Sequence, residues 1–144
     1  MSLNKVPFDL FKGLPVFRAS PSSDYNLSPS SNVPMPLQTI SIDTLGGTPA
    51  LNSYSIGNNG FYLVIANHSQ SKTAASNNSD AYIVINGSGV TQQYHASTVS
   101  GTGHSISSLH YLEAGDTVGA QVRAIGYTGT AIASRTSLSI IRVA

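Results

Sequence analysis

Apolar residues recur along most of the chain in short runs, separated by Gly, Ser, Asn and Pro. Runs of that length and spacing predict strands and turns. The predicted strands are residues 16–19, 37–45, 51–56, 60–67, 81–86, 90–95, 104–112, 117–125 and 137–143. No run of ten or more residues carries the three-and-four apolar spacing of an amphipathic helix. Nine short strands at near-regular spacing indicate an all-β antiparallel sandwich or barrel. Residues 20–36 are different, with Pro21, Pro29, Pro34 and Pro36 among Ser and Asn. Proline cannot donate to a sheet ladder, so this stretch is an extended loop rather than a central strand.

Several strands are apolar on both faces. In 60–67 one face carries Phe61, Leu63 and Ile65, and the other carries Tyr62, Val64 and Ala66. In 137–143, Leu138 and Ile140 lie on one side, Ile141 and Val143 on the other. A strand with one wet face alternates apolar and polar, and each sheet of a sandwich has one inner face. The second apolar face needs cover, from the N-terminal leader or from another subunit. We read it as subunit cover and assign Tyr62 and Val64 to the face offered to the neighbour. The division is a leader at 1–14, holding Val6, Phe8, Leu10 and Phe11 outside any strand, and one domain at 15–144. The leader either packs on its own domain or docks to a larger assembly.

Composition narrows the classes. A chain of 144 residues suits one domain that buries a sizeable core without staples. It has no cysteine, which excludes disulfides, thiolate metal sites and cysteine nucleophiles. Charged residues are 9% of the chain, against roughly 25% in an average domain. The seven Lys and Arg are scattered without a basic stripe, so nucleic acid is not an expected partner. No stretch approaches the ~20 apolar residues of a membrane span. Residues 1–14 do not read as a signal peptide, because Lys5, Pro7, Asp9 and Lys12 interrupt every apolar run.

Four local patterns, in order, carry a family resemblance. They are Val16-Phe17-Arg18-Ala19-Ser20; Gly60-Phe61-Tyr62-Leu63-Val64-Ile65; Ile83-Val84-Ile85-Asn86-Gly87, a strand entering an Asn-Gly turn; and the run from Leu109 to Val118 with Gly115-Asp116 at its turn. Together with the closing strand Leu138-Ser139-Ile140-Ile141-Arg142-Val143 they resemble the complement globular-head and TNF-like family over residues 15–144. The resemblance implies a TNF-like jelly roll of about ten strands and a bell-shaped homotrimer. The short leader Lys5-Val6-Pro7-Phe8-Asp9-Leu10 looks most like bacterial and bacteriophage versions, which serve as heads on fibres, decoration proteins or spore-surface heads. The expected role is therefore a non-enzymatic structural or attachment protein of a phage-type virion. Residues 2–14 would dock to other virion proteins, and a host-surface glycan is a candidate ligand. The alternative is a soluble carbohydrate-binding or spore-surface head at the bacterial surface.

Tests for chemistry point away from an enzyme. Glu113 and Asp116 are close, but sit in one turn where acidic and Gly residues serve structure. Gly103-His104-Ser105-Ile106-Ser107 lacks the second glycine and the helix of a nucleophile elbow. His104 and His110 share a strand face with Ile106 and Ser108. If that face lines the threefold axis of the implied trimer, each histidine becomes a ring of three, fit for a metal ion or for acid sensitivity. The simpler reading is a polar histidine at a strand end, and we assign no metal and no cofactor. Asn77, Asn78, Ser79 and Asp80 offer oxygens for calcium, yet one carboxylate is more often just a loop. Tyr127, between Gly126 and Gly129, and Tyr94 with His95 are the candidates for stacking on a sugar, against a core or capping role for both tyrosines.

Overall fold

The computed structural model describes residues 13–72, 77–97 and 101–144. The proposed docking leader, residues 2–12, lies outside them, as do the loop centres 73–76 and 98–100. Thirteen strands follow in chain order: β1 Val16–Ser20, β2 Tyr25–Leu27, β3 Asn32–Pro34, β4 Thr39–Asp43, β5 Thr48–Pro49, β6 Tyr54–Ser55, β7 Gly60–Lys72, β8 Asn77–Ile85, β9 Ser88–Ser97, β10 Gly101–Leu112, β11 Thr117–Ile125, β12 Gly129–Ala131 and β13 Ser137–Arg142. A single 3-10 turn, Ala133–Arg135, is the only helical element among the described residues.

Two sheets form a sandwich. The first orders β2-β12-β7-β13-β1-β4, with β10 on the other edge of β7. The second orders β5-β6-β11-β8-β9, with β3 also on β11. Every strand pairing in both is antiparallel. Each predicted strand has a counterpart, but the bounds differ: 37–45 shortens to Thr39–Asp43 and 51–56 to Tyr54–Ser55, while β7 continues to Lys72 and β8 starts at Asn77 rather than 81. Polar residues extend these ladders because the backbone, not the side chain, makes the hydrogen bonds. The proline-rich 20–36 stretch holds only two three-residue strands, β2 and β3, each bound to a single partner strand.

The core lies between the sheets. Phe17, Leu138, Ile140, Tyr62 and Val64 from the first meet Tyr54, Ile83, Val118 and Val122 from the second. Phe17 and Tyr54 stack with centroids 4.1 Å apart. Side chains alternate along residues 60–71 of β7 and 103–112 of β10, with even-numbered residues turned inward and odd-numbered residues outward. The β8–β9 hairpin turns at Asn86 and Gly87, with φ of 51° and 80°. Both central residues of a type I′ turn need positive φ, which is why Asn-Gly was a legible signal. The turn before β11 is fixed by Asp116, whose Oδ2 accepts from Glu113 N at 2.8 Å and whose Oδ1 accepts from Asn86 Nδ2 at 2.8 Å. The Glu113–Asp116 pair is thus used by the turn itself.

Candidate functional site

The outer face of the first sheet carries the most distinctive surface of the molecule. In the β7–β10 ladder Phe61 lies opposite Tyr111, Leu63 opposite Leu109 and Ile65 opposite Ser107. On the other edge of β7, Ile141 lies opposite Leu63, and Val16 lies opposite Ile141. Val16, Ile141, Leu63 and Leu109 therefore form one apolar row across four strands. Phe61 and Tyr111 continue it, with ring centroids 5.4 Å apart in an edge-on pair. Leu109, Tyr111 and Phe61 are 58%, 55% and 46% exposed, which is unfavourable for side chains of this size. Strand β10 pairs with β7 and with no other described strand, and it carries no Asp, Glu, Lys or Arg. A long uncharged edge strand is a ready template for another chain.

This face is not the one assigned from the sequence. Tyr62 and Val64 have no exposed surface, and His104 and Ile106 are buried with them. All four point into the sandwich. His110 is inward-facing too, half-buried at the sheet end, with Nε2 2.7 Å from Ser108 Oγ. The assignment inverted the parity of β7. Its two faces are nearly equal in apolarity, and only the partners decide which is inside. Tyr62 is drawn in by its hydroxyl, which donates to Asn58 O, and its odd-numbered neighbours are left outside.

The three residues considered for sugar stacking do not come together. Tyr127 is buried, and its hydroxyl accepts from Gln70 Nε2 in the interior. It cannot present a ring to a ligand. Tyr94 is exposed on the outer side of the second sheet, opposite Asp80. His95 is half-buried and faces the other way, its ring 5.8 Å from that of His104.

At that end of the sandwich the structure gathers histidines that the sequence kept apart. His68 and His104 are opposite each other in the β7–β10 ladder, with centroids 6.3 Å apart. His95 and Ser79 are opposite each other in the β8–β9 ladder. The two pairs meet across the sandwich, where Ser79 Oγ lies 2.8 Å from His104 Nε2. Tyr25 closes the cluster from β2, its ring 6.4 Å from that of His68. Burial, and then repulsion from His104, pushes the His68 pKa down to about 4. Burial also pushes the Tyr25 hydroxyl up. Among the described residues no group of three His, Asp or Glu has the geometry to hold a metal ion. The signal that could have found this cluster was the alternation of β7: His68 and Gln70 continue the inward row of Tyr62, Val64 and Ala66.

On the second sheet a buried carboxylate is neutralised in place. Asp80 accepts from Arg123 Nε at 3.1 Å, Gln92 Nε2 at 3.0 Å and the Tyr82 hydroxyl at 3.1 Å. Burial alone would raise its pKa, but these bonds outweigh it and hold the carboxyl below its ordinary value. Asp80 is thereby committed to Arg123, and Ser79 to His104. The two do not join in an oxygen cluster for calcium.

No protein-family model matches the sequence, and no curated protein matches it either. Solved structures do match in fold. Eiger TNF from S. frugiperda superposes with a TM-score of 0.66 at 12% identity, covering 91% of this chain and 93% of that one. Murine APRIL at pH 5.0 superposes with a TM-score of 0.69 at 11% identity, covering 90% and 99%. At pH 8.0 its TM-score is 0.68 at 10% identity. The four ordered sequence patterns and the two-sheet topology thus converge on one architecture, and the chain has the TNF-like jelly-roll fold.

Proposed function

We propose that this chain is a non-enzymatic head domain that assembles as a homotrimer through the outer face of its first sheet. The observation that carries the reading is the apolar, uncharged ladder of Phe61, Leu63, Leu109, Tyr111 and Ile141 beside an open edge strand. A surface of this kind on one domain marks an association site. The number three comes from the family resemblance, and the ladder supplies the adhesive. Leu109→Asp combined with Tyr111→Asp should convert trimer to monomer, read by light scattering, with the far-ultraviolet circular dichroism of the native fold retained. An unchanged mass would overturn the assignment of this face.

The finer reading is a fibre head or decoration protein on a phage-type virion. It rests on the resemblance of the leader motif to bacterial and phage versions of the family and on the low charge of the chain. Deleting residues 2–14 should abolish docking to the particle while leaving the trimer intact. Of Tyr94, His95 and Tyr127, only Tyr94 offers an exposed ring to a host-surface glycan. Selective glycan-array binding that disappears with Tyr94→Ala would support recognition; binding unaffected by that change would remove Tyr94 from the site.

A further inference from the structure

The arginines of the described residues fall into two groups. Arg123 is bonded to Asp80, and Arg142 donates to Asn59 O at 2.7 Å. Among the described residues Arg18 and Arg135 find no side-chain hydrogen bond or ion pair, and both line the same groove, of about 480 Å³. Its described walls also include Ser20, Ser41, Asn67 and Ser137, and among the described residues no carboxylate lines it. In a chain with so few charges, two arginines without a side-chain partner among the described residues make the groove they line positive.

Local structure sets the backbone from which each arginine springs. The register between β1 and β4 shifts between Arg18 and Ala19, and a bulge of this kind re-aims a side chain. Arg135 sits on the 3-10 turn, which is pinned at its start by Ala133 N donating to Asp24 Oδ1 at 2.8 Å. Asn67 accepts from Ser105 Oγ through its Oδ1 at 2.8 Å, leaving its amide NH2 as a donor. The groove lies on the polar half of the first sheet, in the row beyond Ile65 and Ser139, where serines replace the apolar ladder.

We propose that this groove binds a small hydroxyl-rich oxyanion, that is, a sugar bearing a carboxylate, sulfate or phosphate. A guanidinium presents paired N–H donors that match the oxygens of such groups. The serine hydroxyls and the Asn67 amide suit the hydroxyls of a sugar ring. Among the described residues no aromatic side chain lines the groove, so the anionic group rather than stacking carries the affinity. The volume lies within the roughly 300–1,000 Å³ range of small-molecule sites. The proposal does not depend on assembly through the apolar ladder. If a second copy closed over this region, two unpaired guanidiniums would be desolvated, which is costly unless an anion accompanies them.

The test is calorimetric titration of the full chain with glucuronic acid, galactose 6-sulfate and glucose 6-phosphate. The neutral counterparts are methyl glucuronate ester, galactose and glucose. At least one acid should bind saturably, and its neutral counterpart at least tenfold more weakly. Arg18→Gln and Arg135→Gln should each weaken that binding tenfold or more, with circular dichroism and mass in solution unchanged. Which acid binds separates the three sources of the oxyanion. Failure of all three acids to bind would overturn the proposal, as would equal binding by the double variant. A double variant that changes mass in solution, with no acid bound by the native chain, would make the groove a contact between copies instead.

Discussion

Acid should weaken this fold through His68, and the size of the effect follows from its surroundings. His68 is 4% exposed, neither ring nitrogen makes a hydrogen bond among the described residues, and His104 faces it across the ladder. Tyr25 and, through His104, Ser79 and His95 complete the enclosure. The Gln70 amide beside it favours the protonated form but closes no geometrically sound hydrogen bond, so burial and repulsion prevail. The folded pKa of about 4 lies below the ordinary 6.5. Between those values the unfolded chain binds a proton that the folded chain refuses, so stability falls as pH falls. The full displacement corresponds to about 3 kcal/mol, of which about 2 kcal/mol is lost between pH 7.5 and pH 5. Urea unfolding of the native chain and of His68→Gln, from pH 7.5 to 4.5 at one fixed protomer concentration, isolates the effect. The variant should lose that part of the slope. Parallel pH dependences for the two proteins would refute the account of a neutral, enclosed His68.

Other perturbations test separate parts of the structure. Ile106→Asp places a charge in the sandwich interior and should abolish folding, whereas Leu109→Asp, three residues on and outward-facing, should leave a folded chain of lower mass; circular dichroism with light scattering distinguishes them. Gly87 has φ of 80° and open space where a Cβ would sit, so Gly87→Ala costs only the backbone strain, about 1 kcal/mol, read as a Tm lower by roughly 3 °C. Arg123→Met should destabilise the fold by leaving the Asp80 carboxylate buried without its counter-charge, and adding Asp80→Asn should recover much of that loss in thermal melting.

The strands and turns were largely legible because they are local. Period and turn chemistry mark β1, β7, β11 and the Asn86–Gly87 hairpin. The facing of β7 and β10 was not. On β10 the inward row is His104, Ile106, Ser108, His110 and Leu112, while Leu109 and Tyr111 point out. Polar residues inside and large apolar ones outside invert the usual pattern, so hydrophobicity by itself misassigns the strand. Tyr127 reads as a loop tip between glycines, yet it is buried because Gln70, 57 residues earlier, accommodates its hydroxyl. The histidine cluster likewise depends on register. His68, His95 and His104 are separated in sequence, and only the pairing of β7 with β10 and of β8 with β9 brings them together. The positive groove could not be read either, since Arg18 and Arg135 come to line one groove only through the pairing of β13 with β1.

The central claim is that the apolar ladder of the first sheet is covered by copies of the same chain. The most direct measurement is the absolute mass of the native protein at neutral pH, by light scattering behind a sizing column. The account predicts a particle three times the 15.0 kDa chain mass. A stable monomer of 15.0 kDa would contradict it, leaving Leu109, Tyr111 and Phe61 exposed to water with no partner to account for them.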